Sequence, residues 1–97
     1  MTLNDNHYNL IFGFERLYEF LSNDKFEGVS LTITNSYFLT GKFRFGHYFF
    51  CFNYCSLDSS IICSYKLNMS SVISKHFSNV SSFIDFLNDA FLNVNRQ

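Results

Sequence analysis

An α+β fold, a two-layer arrangement of a four-stranded antiparallel meander flanked by an N-terminal and a C-terminal helix, is predicted by three features of the sequence. Apolar residues recur with helical period at both ends of the chain and with period two between them. Short polar turns join the period-two segments, which dictates antiparallel pairing. With 97 residues, 47% apolar and 21% aromatic, one core suffices and residues 1–97 form a single domain. The same composition excludes intrinsic disorder, which needs few aromatics and high net charge.

The first helix spans about residues 4–23. Leu10, Phe14, Leu17, Tyr18 and Leu21 share one face, Asn4 or Asp5 caps the start, and Asn23, Asp24 and Gly28 mark the exit. Gly13 inside it costs about 1 kcal/mol relative to Ala. In the first strand Val29, Leu31 and Ile33 alternate with polar neighbours, and Asn35-Ser36 turns the chain. Tyr37–Phe45 forms the second strand, with Gly41 marking a bulge. Gly46 makes a tight connection into His47–Cys55, a third strand apolar on both faces, as a central strand would be. After the loop at residues 56–60, Ile61, Cys63, Tyr65 and Leu67 form one side of a fourth strand. A helical turn fits Ser70–Phe77. A final helix capped by Ser78 or Asn79 aligns Val80, Phe83, Ile84, Leu87, Phe91 and Val94. Two helices then lie over one sheet face.

Net charge is −1, which excludes a generically basic nucleic-acid binder, but the charges segregate. Residues 1–30 sum to −3, residues 31–75 to +3 and residues 76–97 to −1, so acidic helices flank a basic sheet region. Glu15 and Glu19 stand i, i+4 on the first helix, and Asp85 and Asp89 do so on the last. Like charges at this spacing destabilise a helix by a few tenths of a kcal/mol. A solvated helix face accounts for the pairs; so does a phosphate mimic, with carboxylates about 5–6 Å apart at Cβ imitating the dense negative row of DNA. Asp24 and Glu27 extend that ladder.

The outer sheet face is expected to carry Thr32, Thr34, Phe38, Thr40, Lys42, Arg44, Ser64 and Lys66. If Tyr48, Phe50, Phe52 and Tyr54 join it, the face becomes an aromatic platform with basic flanks, suited to single-stranded nucleic acid. The alternative for these aromatics is a core or a homodimer face. His47, Cys51 and Cys55 share one side of the third strand, and Cys63 on the next strand could approach them. Zinc-type spacing is missing, so buried reduced thiols are the competing reading and neither metal nor cofactor is expected. No Gly-rich phosphate loop and no oriented Cys–His pair is visible, so an enzyme is not expected. The N-terminus lacks the pattern of a secretory signal, and the longest apolar run falls far short of the ~20 residues of a membrane helix; a cytoplasmic protein is expected.

The Phe-, Asn- and Ser-rich chain, without Pro or Trp and opening MTLNDNHYNLIFGFERLYEF, resembles a small prophage-encoded anti-CRISPR protein of the type I-F group. The likeness is global and covers the whole chain, because such proteins share no diagnostic motif. It implies an inhibitor of the type I-F (Csy) surveillance complex in a bacterial host cell. Some members are DNA mimics that occupy the site where the large PAM-reading subunit and its neighbour grip duplex DNA. Such a mimic binds no nucleic acid itself. Glu15, Glu19, Asp24, Glu27, Asp85 and Asp89 are the residues here that would play the phosphates. The net charge is less acidic than that of the strongest mimics. A local acidic surface, helped by apolar contacts, must therefore suffice.

Overall fold

The computed structural model describes residues 2–92. Its elements are α1 (Thr2–Leu21), β1 (Glu27–Ile33), β2 (Phe38–Phe45), β3 (Tyr48–Cys55), β4 (Ser60–Leu67), β5 (Ile73–Phe77), α2 (Val80–Leu87) and a wider, π-type turn at Asn88–Leu92. The α+β class holds, but the meander has five antiparallel strands in the order β1-β2-β3-β4-β5. The added strand is β5, where a helical turn over Ser70–Phe77 was expected. Ile73 pairs with Tyr65 and Phe77 with Ile61, so the segment continues the β4 ladder. No helix of the described residues is long and apolar enough to cross a membrane.

Turn chemistry sets the register. Gly46 adopts φ +60° in a two-residue hairpin that places Phe45 opposite Tyr48. In the β1–β2 turn the Asn35 side chain accepts from the amides of Tyr37 and Phe38. The Asp58 carboxylate accepts from the Ser60 amide and hydroxyl, which holds its pKa below the usual value. The bulge lies in β1, between Glu27 and Ser30, with Gly28 inside the strand at φ +61°. Gly41, where the bulge was expected, pairs regularly with Leu31 and Phe52. The Phe52 ring lies across Gly41, and a Cβ there would meet Phe52 Cζ at 2.3 Å.

Both helices pack on one sheet face. Leu10, Leu17 and Leu21 of α1 and Val80, Phe83 and Leu87 of α2 close over Leu39, Phe43, Phe50, Phe52, Tyr54, Ile61 and Cys63. Phe43 stacks on Phe50 at 4.6 Å between centroids, and Phe91 meets Phe50 edge-on at 5.1 Å. Burying each such ring contributes about 1.5–3 kcal/mol. Asn79 caps α2 by accepting from the Ser82 amide, as its position predicts. Helix α2 ends at Leu87, before Phe91, and Val94 lies outside the described residues. Helix α1 already begins at Thr2, upstream of the expected caps Asn4 and Asp5.

The buried stripe of α1 also differs from expectation. Tyr18 is 59% exposed, whereas Gly13, outside the expected stripe, is buried with Leu10, Leu17 and Leu21. A Cβ on Gly13 would stand 2.6 Å from Tyr54 Cε2. The missing side chain lets the Tyr54 ring reach the helix backbone, where its hydroxyl donates to the Asn9 carbonyl at 3.1 Å. At the opposite edge of the sheet, Lys75 projects toward the helices with its Nζ 5.7 Å above the Phe86 ring.

Candidate functional site

The two layers present chemically different outer faces. On α1, Leu10, Gly13, Leu17 and Leu21 turn inward, so Tyr8, Ile11, Phe12, Glu15, Tyr18 and Glu19 form one outward stripe. All six are exposed, and Tyr8 stacks on Phe12 at 6.3 Å. Asp85 of α2 and Asp89 of the π-type turn are exposed as well. Between the helices the Arg16 guanidinium donates to Ser81 Oγ at 3.1 Å and ties the layer together. The helix layer therefore holds four of the six acids singled out in the sequence, those of α1 standing among exposed aromatic rings. Asp24 is exposed in the turn after α1. Glu27 departs from the group: it lies on the far face of the sheet and forms an ion pair with Arg44. It cannot extend a ladder on α1.

Among the described residues, no helix or further strand covers the outer sheet face. Tyr48, Phe50, Phe52 and Tyr54 do not belong to it; they turn toward the helices, with Phe50, Phe52 and Tyr54 buried. Their alternates Phe49, Cys51, Asn53 and Cys55 face outward instead. In register across β2, β3 and β4 stand Arg44, Phe49 and Lys66, and in the next row Lys42, Cys51 and Ser64. The expected Thr40, Lys42, Arg44, Ser64 and Lys66 do lie on this face. Phe38 is also there at the far end of β2, 38% exposed. Phe49, at 40% exposure, was absent from the sequence-level set. Its parity becomes legible once the Gly46 hairpin pairs Phe45 with Tyr48 and hence Arg44 with Phe49.

The thiols do not converge. Cys51 and Cys55 face outward, whereas Cys63 pairs with Phe52 on the helix side and is fully buried. Burial, with a smaller contribution from Cys51, pushes the Cys63 pKa from 9.0 to about 12. Burial likewise raises Tyr54, against a hydrogen bond with Ser59 that acts the other way, and raises Tyr65. Among the described residues, no group of three or more His, Cys, Asp or Glu side chains could hold a metal ion. The arrangement presents two exposed faces, one acidic and aromatic, the other basic. No protein-family model, curated protein or solved structure matches the chain.

Proposed function

We propose that the protein is a non-enzymatic inhibitor that docks its helix layer into a cationic DNA-binding groove of a partner. On the resemblance drawn from the sequence, that partner is the type I-F Csy surveillance complex. The groove is the PAM-side duplex site of its large subunit and the adjoining one. The observation that carries the reading is the outward stripe of α1, where Glu15 and Glu19 stand among Tyr8, Phe12 and Tyr18. Exposed ion pairs contribute only about 0.2–1 kcal/mol each, so the carboxylates set orientation and association rate. The rings supply the anchors, as aromatic residues do in most tight interfaces. Tyr8, Ile11, Phe12 and Tyr18 leave a contiguous apolar area exposed beside the acids, and this favours docking over a solvated helix face. Asp85 and Asp89 extend the acidic surface onto the second helix. A net charge of −1 does not oppose this, because Glu15, Glu19, Asp85 and Asp89 lie on the helix layer and Lys42, Arg44 and Lys66 on the opposite sheet face.

A binding competition tests the proposal. Immobilised type I-F complex is incubated with the protein, and capture of PAM-containing duplex is followed across a salt series. The expected result is lost DNA capture together with protein retention that weakens as salt rises. Glu15→Lys/Glu19→Lys, on the exposed face, is expected to abolish the block while leaving the thermal melt within a few degrees of wild type. Full inhibition by that variant would overturn the assignment of α1 as the mimic.

A further inference from the structure

The uncovered sheet face has no role in that reading, and it has the composition of a binding surface in its own right. Strands lie about 4.8 Å apart, so Arg44 and Lys66 flank Phe49 from opposite sides at roughly 10 Å from one another. Lys42 adds a third cation one row along β2, beside Cys51. The relief of the face is shaped around the ring. A depression of about 300 Å³ opens between Phe49 and the bulged β1, and a second of about 130 Å³ lies toward Lys66 and Val72. The only carboxylate in either depression is Glu27, already paired with Arg44.

From this geometry we infer that the outer sheet face is a binding site for single-stranded nucleic acid. An unpaired base stacks on Phe49, and the flanking phosphates meet Lys42, Arg44 and Lys66. Stacking needs a base freed from its partner, so a single strand is favoured over a duplex, whose bases are stacked on one another. Charge complementarity selects this occupant over a second copy of the chain. Two copies face to face would bring the three cations of each against those of the other, while the other exposed apolar side chains of β2–β4 on this face, Ile62 and Phe38, stand two and three rows away from Phe49. Glu27 gates the site, because it holds the Arg44 guanidinium that a phosphate would otherwise take. The two faces share no residue, so this site can hold or fail without the helix-layer proposal, and nucleic acid bound here would set aside the expectation that such a mimic binds none.

Fluorescence anisotropy with a labelled thymidine oligonucleotide of about 12 nucleotides, and with a duplex of equal length, tests it. Three neutralised phosphates predict a slope near −2 in log affinity against log salt, at about 0.7 per contact. Lys42→Ala/Lys66→Ala should bring that slope to about −0.7. Phe49→Leu should weaken binding about fivefold or more with the slope unchanged, and Phe49→Tyr should restore it. Glu27→Gln should tighten binding. If Phe49→Leu fails to fold, the lysine variant still decides, because both side chains are exposed. Three results would each overturn the inference: no saturable binding at about 50 mM salt, equal affinity for the duplex, or a lysine variant that binds like wild type. So would a dimer in light scattering that Phe49→Leu dissociates, since the face would then be occupied by a second copy.

Discussion

Three cysteines on neighbouring strands divide by parity into outward Cys51 and Cys55 and inward Cys63. The division has a chemical consequence, because the thiolate is the reactive form and Cys63 loses it to burial. Alkylation at neutral pH is expected at Cys51 first, with Cys63 modified only after unfolding; mass spectrometry of partly alkylated protein reads the order. The same burial makes stability fall with alkali. Cys63 keeps its proton in the folded state up to about 12, while the unfolded thiol releases it near 9.0. Between those values the folded state binds more protons, so stability declines as pH rises, by at most about 1.4 kcal/mol per pH unit. Tyr54 and Tyr65, raised in the same direction, add to the decline at the upper end. Urea unfolding from pH 8 to 11 should show a shallower slope for Cys63→Ala than for wild type, and identical slopes would exclude the thiol as the cause.

At the level of elements, the close approach of α1 to β3 rests on one absent side chain. Gly→Ala inside a helix normally stabilises by about 1 kcal/mol. At Gly13 the new methyl would displace the Tyr54 ring and its hydrogen bond to Asn9, so Gly13→Ala should instead destabilise by about 1–3 kcal/mol. In a Tyr54→Leu background the sign should reverse, and equal effects in the two backgrounds would refute the contact. This position also shows where periodicity reaches its limit. Leu10, Leu17 and Leu21 identify the inward stripe, but only the ring lying over Gly13 explains why Tyr18 is not part of it. Strands β2 and β4 and the α2 cap were legible because alternation and turn residues agree there. Strand β5 was not, because Lys75 stands at an inward position and breaks the apolar alternation of Ile73 and Phe77. On β3, every position from Tyr48 to Phe52 is apolar, so alternation alone cannot tell inside from outside. The register imposed by the hairpin decides it. That Glu15, Glu19, Asp85 and Asp89 are exposed followed from their spacing, whereas the place of Glu27 did not, because its partner Arg44 is close only in the folded sheet.

The whole molecule is a slab of 47 × 27 × 22 Å with helices on one broad side and open sheet on the other. Its thin dimension is about twice the Debye length of about 10 Å at 0.1 M salt. The charge on one broad side is therefore screened from ligands on the other. Glu15→Lys/Glu19→Lys should change oligonucleotide affinity of the sheet less than about twofold at that salt. A larger effect in the anisotropy assay would mean that the oligonucleotide contacts the helix layer.

Among the described residues the sheet also has two free strand edges, β1 and β5, and unpaired edges invite other chains to add on and propagate. The bulge at Gly28 twists β1 away from a flat pairing geometry. At the other edge Lys75 is held over Phe86 on the helix side of β5. A strand docking there would enclose its ammonium beneath a growing sheet, and an inward-pointing charge of this kind is costly to bury. A protein this rich in phenylalanine thus carries a deterrent to fibril growth at each of its two open borders.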